Sequence, residues 1–554
     1  MRPEQAPSRS APEVSPPPMR EPTVQRLTGR DLAQLSASAF DSFLEATRAQ
    51  DVLARSDRRQ IIGLPDETEP RRVAKIFEPR PRANRILLWI QRCIGLGPAD
   101  REWRALTALH ARGFPVPRPI ERERLARNRD LLVLERIAGK PVADVLSEEH
   151  ACRGDLLPEL GRAVARLHAL GFVHGDLHAG NWIVGPFGDL HLLDLQRTRR
   201  TRSARARLRD LADLDFSLQR HGVSLSARVG LRRAALGESR PLEAERKILA
   251  IDRLARSRAE RHYKSRTRRT RRAGRLYKEV QTGAARGLRL ERFSHAEVEA
   301  VLEGHCQNLA QGGEAVLKSD SRSRVTAVRI GSHRVVVKEV TKTGLGRTLA
   351  DVFRGSPGRR AWVAGHGLRA RGIDAATPFA FLESRSLGVP RSSLVILEDL
   401  RPWCPAHELV PERGPALSRM LLSLLKDLHR HGIVHGDLQA PHIFVDPRPN
   451  ASPNPRLIDL EGVRFTRRLS RRQRIQALAE LNASIPDDLI PNAERLASFW
   501  RYTRWLPFTG IRGSKGAQKS ALDEIVRRSL ARQHFWRGPC SEQGGPEALR
   551  RPSP

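Results

Sequence analysis

Leu167–Leu195 reads LHALGFVHGDLHAGNWIVGPFGDLHLLDL, and three polar residues stand out among its apolar runs: Asp176, Asn181 and Asp194. Asp176 closes a His-Gly-Asp turn, Asn181 follows five residues later, and Asp194 stands thirteen beyond that inside the run Leu190–Leu195. A turn followed by a hairpin satisfies this spacing. Asn181 then begins the hairpin and Asp194 ends it, so both can face one metal ion while Asp176 faces an incoming hydroxyl, a layout suited to phosphoryl transfer. A His-x-Asp alone is as readily a solvated loop; the three residues together carry the reading.

The pattern recurs. Residues 428–460 read LHRHGIVHGDLQAPHIFVDPRPNASPNPRLIDL, with the turn at His435–Asp437, His442 in the place of Asn181, and Asp459 in the place of Asp194. Asp437 lies 261 positions after Asp176, an interval too long for a solenoid repeat and suited to a duplicated domain. Upstream, Lys75 sits in the strand-like run RRVAKIF and Lys338 in SHRVVVKEV, 101 and 99 residues before the respective aspartates. After Lys75 comes ADREWRALTALHARGF, whose Trp103, Leu106 and Leu109 recur at helical spacing and which carries Glu102. Taken singly, Lys75 is an exposed strand lysine and Glu102 a solvated first-turn carboxylate. In order with Asp176, Asn181 and Asp194 they form the strand-lysine and helix-glutamate pair that holds nucleotide phosphates. The second copy answers Glu102 with Ala361, in RRAWVAGHGLRARGI.

The 554 residues are 39% hydrophobic, enough for two or three domains with their own cores, and no apolar run approaches the length of a membrane span. The first thirty residues, rich in Pro, Ser and Glu, read as a disordered arm without the apolar centre of a secretory signal. Five cysteines without Cys-x-x-Cys pairs argue against a disulfide framework or zinc module. A net charge of +36, carried mostly by arginine, attracts phosphates, anionic lipid or nucleic acid. It is densest in RLARSRAERHYKSRTRRTRRAGRLYK from Arg253, which reads either as a solvated basic face or as a docking surface for anionic lipid or nucleic acid. Only Tyr263 and Tyr277 lie near it for base stacking, so specific nucleic-acid binding is not expected. No G-x-G-x-x-G precedes Lys75; Gly63 is the single glycine there, so the phosphate-covering loop is expected to be unconventional or partly supplied by the preceding arm.

With these residues assembled, both halves resemble the lipopolysaccharide core kinases, the bacterial heptose and Kdo kinases with a protein-kinase-like fold. The first half matches through Lys75, Glu102-Trp103, HGDLHAGN and LLDLQR, the second through Lys338, its tryptophan helix, HGDLQAPHIF and LIDLEGVR. The resemblance implies an α+β chain of two tandem protein-kinase-like domains, each a small antiparallel-sheet N-lobe and a mainly helical C-lobe. The expected boundaries are a disordered arm over 1–30, domain 1 over 31–240, a basic helical linker over 241–305, domain 2 over 306–537 and a disordered tail over 538–554. It further implies Asp176 and Asp437 as catalytic, Lys75, Glu102 and Lys338 as ATP-binding, and Asn181, Asp194, His442 and Asp459 as magnesium ligands. ATP would phosphorylate a sugar hydroxyl of the lipopolysaccharide inner core or a related glycolipid, mainly in domain 1, in the cytoplasm with peripheral contact to an anionic membrane surface. Gly175 and Gly436 replace the arginine that would pair with a phosphorylated activation loop, which argues against that mode of control. Two other readings stay open: a phosphotransferase resembling aminoglycoside and choline kinases, and a basic pseudokinase scaffold binding anionic membrane or nucleic acid.

Overall fold

The computed structural model describes residues 52–56, 59–64, 72–78, 90–91, 94–125, 128–148, 153–237, 241–331, 333–341, 351–409, 413–448, 454–508 and 515–532. The expected arm over 1–30 and tail over 538–554 lie outside them. The chain divides into two compact units, Met1–Ala259 and Glu260–Pro554.

In the first unit β1 (Val52–Ser56), β2 (Arg59–Leu64), β3 (Arg72–Phe77), β4 (Pro119–Arg124) and β5 (Asp130–Glu135) form an antiparallel sheet in the order β1-β2-β3-β5-β4. Strand alternation sets its two faces. Leu131 and Val133 pack with Ile62, Ala74 and Ile76, whereas Leu132 and Leu134 join the larger core with Phe77. Being covered on both faces, β5 is almost continuously apolar. Lys75 faces Ile61 on one side and Leu132 on the other, so the central strand of the sheet carries it.

Helix α1 (Pro98–His110) opens with Pro98, and the Asp100 carboxylate accepts from the Gly97 N–H at 3.1 Å. Glu102, Ala105, Leu106 and Leu109 are buried at helical spacing along one stripe, which presents Glu102 toward the core. Below follow α2 (Val142–Glu148), α3 (Arg153–Ala169), the short strand β7 (Phe172–Val173) after the two-residue β6 (Lys140–Pro141), and the hairpin β8 (Trp182–Val184) and β9 (Leu190–Leu192). Then come β10 (Arg199–Arg200), α4 (Ala204–Arg220) and α5 (Leu225–Leu236). Gly161 lets α3 and α5 touch: a Cβ there would stand 2.6 Å from the Leu231 carbonyl oxygen. Helix α6 (Pro241–Arg269) buries Ile251 and Ala255 in this unit's core and continues into the second unit.

The second unit holds a seven-stranded antiparallel sheet, in the order β11-β12-β16-β17-β15-β14-β13, built from β11 (Tyr277–Thr282), β12 (Ala285–Leu290), β13 (Val316–Ser319), β14 (Ser323–Ile330), β15 (His333–Val340), β16 (Pro378–Ser386) and β17 (Val389–Glu398). Lys338 lies on β15 between Val325 and Val395, matching the placement of Lys75. Helix α7 (His295–Gln311) lies between β12 and β13, and α8 (Pro357–Arg369), the tryptophan helix, between β15 and β16; α9 (Gly414–Arg430) follows β17 and β18 (Cys404–Pro405). After the turn region with β19 (Ile433–Val434), β20 (Ile443–Val445), β21 (Arg456–Leu457) and β22 (Arg464–Phe465) come α10 (Arg471–Ala483), α11 (Asn492–Trp505) and α12 (Lys515–Leu530).

The stretch expected as a helical linker over 241–305 is helical to Arg269 and again from His295, with two strands between. β11 and β12 extend the second unit's sheet, with Leu288 beside Phe381 of β16, and α7 begins at His295 behind a Ser294–Glu297 capping box. Exposed Arg and Lys along the two strands hid their alternation, because each buries few side chains. The second unit therefore starts well before the expected 306, and the first runs past 240. Gly63 sits inside β2 opposite Val73, and the residues linking β1 to β2 and β2 to β3, where a phosphate-covering loop was expected, lie outside those described.

Candidate active site

In the first unit Lys75 Nζ donates to both carboxylate oxygens of Glu102 at 2.7 Å and to Asp194 Oδ1 at 3.1 Å. The Lys75 and Glu102 side chains are 5% and 2% exposed, so neither charge could stand there unpaired. Asp194 also meets Arg59 Nη1 at 2.8 Å and accepts from Gln196 Nε2 at 2.9 Å. Burial pushes its carboxyl up, but Lys75 and Arg59 outweigh burial and hold it well below the usual carboxylate range. Its backbone is left-handed, φ 62° and ψ 57°, a conformation a non-glycine residue adopts at a cost of about 1–3 kcal/mol and keeps where its side chain must be aimed.

The His-Gly-Asp turn is fixed from beneath. Asp210 on α4 is 2% exposed and accepts from the backbone N–H of His174 at 2.6 Å and of Gly175 at 2.8 Å, with His168 Nε2 at 3.3 Å. The Asp176 N–H donates to His174 Nδ1 at 3.3 Å, so the other ring nitrogen carries the proton that bonds the Leu193 carbonyl at 2.9 Å. Asn181 Nδ2 donates to the Asp176 carbonyl at 3.0 Å, and the Asn181 carbonyl accepts from the Leu193 N–H at 2.8 Å. The expected trio is thus stitched into one constellation. Asp176 itself is a third exposed and has two guanidinium groups near it, Arg197 Nη1 at 3.4 Å and Arg258 Nη2 of α6 at 3.8 Å; Arg258 Nε also pairs with Asp213 at 3.0 Å.

The second unit repeats the plan with exchanged parts. His435 Nε2 bonds the Ile458 carbonyl at 3.1 Å, and Asp459 is again left-handed, at φ 55° and ψ 56°. His442 Nδ1 donates to the Asp437 carbonyl at 2.9 Å, and the His442 carbonyl accepts from the Ile458 N–H at 3.0 Å. Histidine therefore reproduces both duties of Asn181: it gives an N–H to the turn and keeps one lone-pair atom, Nε2, for a cation. Asp437, His442 and Asp459 offer ligand atoms all within 4.8 Å of one another, and this mixed nitrogen and oxygen set fits a divalent metal. Asn181, whose amide nitrogen is spent on the turn, and Asp194 offer oxygens, the donors that magnesium favours.

Lys338 differs from Lys75 in its partners. Its Nζ lies 2.6 Å from Asp459 Oδ1 and 2.9 Å from Glu461 Oε1, the latter an ion pair without hydrogen-bond alignment. Burial would lower the lysine's affinity for its proton, but Glu461 and Asp459 reverse this and raise it. Burial likewise pushes Asp459 up, and Lys338 more than offsets it, leaving the carboxyl below its ordinary range. Beneath the turn, Glu480 of α10 accepts from the Leu438 N–H at 3.2 Å, a single contact in place of the pair made by Asp210.

All nine residues expected from sequence fall in these two constellations. Sequence reasoning missed Asp210, Glu461, Arg59, Arg197 and Arg258. The exchange of LLDLQ for LIDLE was the available signal for Glu461; Asp210 lies on a helix with several acidic residues and had none.

Comparisons with known proteins place the chain in a family. The model of the lipopolysaccharide kinase (Kdo/WaaP) family matches residues 88–230 and 331–500, more than half of the chain. The 3-deoxy-D-manno-octulosonic acid kinase of Stenotrophomonas maltophilia strain K279a is 40% identical over 101 residues, 17% of this chain and 39% of the relative. That of Xanthomonas campestris pv. campestris strain B100 is 37% identical over 123 residues, 21% of this chain and 48% of the relative. The chain thus spans less than half the length of these relatives. Among solved structures, WaaP in complex with acyl carrier protein aligns at 19% identity and a TM-score of 0.32, covering 41% of this chain and 91% of that one. With two matched segments that each contain a His-Gly-Asp turn, the chain belongs to the lipopolysaccharide kinase (Kdo/WaaP) family.

Proposed function

We propose that the chain is an ATP-dependent kinase of two tandem protein-kinase-like domains that phosphorylates a sugar hydroxyl of the lipopolysaccharide inner core or a related glycolipid, the first unit being the main site. The observation that carries this is the buried Lys75–Glu102–Asp194 network beside the Asp176 turn. Lys75, fixed by Glu102, binds the nucleotide phosphates. Asp176 orients the acceptor hydroxyl and takes its proton as its oxygen bonds the γ-phosphorus of ATP and the bond from that phosphorus to the bridging oxygen breaks, releasing ADP. Asn181 and Asp194 in the first unit, and His442 and Asp459 in the second, hold the metal. Magnesium, when bound, neutralises charge on the phosphate oxygens.

Two observations favour an anionic acceptor over the cationic ones of aminoglycoside and choline kinases. Arg197 and Arg258 stand beside Asp176, and the chain carries a charge of +36; a polycationic acceptor would meet like charge at both ranges. The pseudokinase reading has no comparable support, since a scaffold needs no buried lysine aimed at a left-handed aspartate. Among the described residues no helix is long and apolar enough to cross a membrane. Contact with anionic lipid would use the exposed arginines of α6, including Arg253, Arg256 and Arg261.

The experiment is transfer of labelled phosphate from ATP to extracted lipopolysaccharide by the full-length chain, with Asp176→Ala compared with Asp437→Ala. Loss of most transfer in Asp176→Ala and a smaller loss in Asp437→Ala is expected. Near-normal transfer in the double variant would overturn the assignment, and dominance of Asp437 would reverse the ranking of the units.

A further inference from the structure

We infer that Glu461 is the positioning residue for Lys338, so that the second unit keeps a competent nucleotide-phosphate lysine although its tryptophan helix carries Ala361. The inference rests on reading both lysines as phosphate-binding groups. In the first unit the lysine's partner comes from helix α1, and the residue two after the metal aspartate is Gln196, which only donates to Asp194 at 2.9 Å. In the second unit the helix position is Ala361, 2% exposed and part of the apolar core, and the residue two after the aspartate is Glu461. One carboxylate has left the helix and one has appeared on the turn. The lysine sees nearly the same charge in both units: two carboxylates, at 2.7 and 3.1 Å around Lys75 and at 2.6 and 2.9 Å around Lys338.

The turn that bears Glu461 is itself anchored. Arg360 Nε, on α8 next to Ala361, donates to the Glu461 carbonyl at 3.3 Å, and Gly462 packs against the Gly436 of the catalytic turn, where a Cβ on Gly436 would stand 2.8 Å from the Gly462 carbonyl oxygen. Glu461 is therefore fixed beside the metal aspartate by the catalytic turn and by Arg360 of α8, whereas Glu102 is carried by its helix itself.

The test uses the full-length chain carrying Lys75→Met, so that tight nucleotide binding reports the second unit, and measures the affinity for magnesium and a non-hydrolysable ATP analogue by titration calorimetry. Glu461→Gln, isosteric with the native residue, should weaken binding about tenfold, as expected for loss of one charge-assisted contact. Adding Ala361→Glu should restore most of that loss if the helix position can resume the role. Because a buried glutamate could instead unfold the unit, thermal melting is followed in parallel. The reciprocal exchange then serves: in a Lys338→Met background, Gln196→Glu should rescue analogue binding weakened by Glu102→Gln. Affinity within twofold of the parent in Glu461→Gln, with binding otherwise intact and Lys338→Met damaging, overturns the role of Glu461 alone. Absence of any analogue binding by the wild-type chain overturns the reading of both lysines.

Discussion

Asp210→Asn is the sharpest test of how the first unit builds its His-Gly-Asp turn, the proposed catalytic one. The carboxylate lies 2.6 and 2.8 Å from two backbone N–H groups, one on each oxygen, with 2% exposure. Asparagine keeps the shape but offers one acceptor oxygen; its NH2 must then face an N–H donor. A hydrogen bond to a charged group contributes about 1.5–3 kcal/mol, and a buried donor left unsatisfied costs about 1–3 kcal/mol more. Loss of one bond with donor facing donor should therefore destabilise the first unit by about 3 kcal/mol. Asp176 follows the released N–H of Gly175 directly, so a shift of about 1 Å should lower turnover about a hundredfold with little change in nucleotide affinity. Calorimetric melting, in which the two units can unfold separately, reads the stability change, and labelled-phosphate transfer reads the rate. Turnover within twofold of wild type, with an unmoved first transition, would refute the claim that Asp210 holds the turn.

Lys75→Met should reduce kcat/KM by two or more orders of magnitude and Glu102→Ala by less, and the double variant should resemble Lys75→Met alone because both residues act in one network; additive losses would mean that they are not coupled. Asp194, whose folded carboxyl is held below its ordinary value, contributes stability above about pH 4 that is lost as pH falls through the depressed value. The melting difference between wild type and Asp194→Asn should accordingly shrink on going from pH 7 to pH 3, and a constant difference would count against the ion pairs. With the first unit silenced by Asp176→Ala, replacing magnesium by manganese should raise residual transfer relative to the reverse variant, since His442 brings an imidazole to the second site. Equal metal preference in the two variants would argue against His442 as a ligand.

Much of this was legible in the sequence because chemistry confines it to short spacings. Asp176, Asn181 and Asp194 share one turn and hairpin, so their order along the chain nearly fixes their order in space. Lys75 and Glu102 belong to a strand and the next helix, and each element had a clear period. Asp210 escaped because its partners are backbone N–H groups, which leave no trace in side-chain pattern. The strands β11 and β12 escaped for another reason: half-exposed strands at a sheet margin bury few residues, and their Arg and Lys resembled the basic helix before them. Arg258 was visible only as one of many charges; its place beside Asp176 depends on the helix phase, which buries Ile251 and Ala255 and so turns the residue three beyond Ala255 toward the turn.

The two copies also separate what this fold demands from what it tolerates. Both keep a lysine in an interior strand, a left-handed aspartate after the hairpin, and an N–H donated to the carbonyl of the turn aspartate. A strand lysine buried beside an aspartate needs further negative charge, but Coulomb attraction does not depend on which element supplies it, so the carboxylate can sit on the helix or on the turn. The donor to the turn carbonyl must carry an N–H on one atom and a lone pair on another, and the asparagine amide and the imidazole both do so. Support beneath the turn is less interchangeable, because two adjacent N–H groups are satisfied by one carboxylate only when it lies directly under them. Asp210 meets that condition with two contacts and Glu480 serves a different amide with one, so the first turn is held by more hydrogen bonds than the second. That difference joins the buried Lys75–Glu102–Asp194 network as ground for the proposed ranking of the first unit above the second.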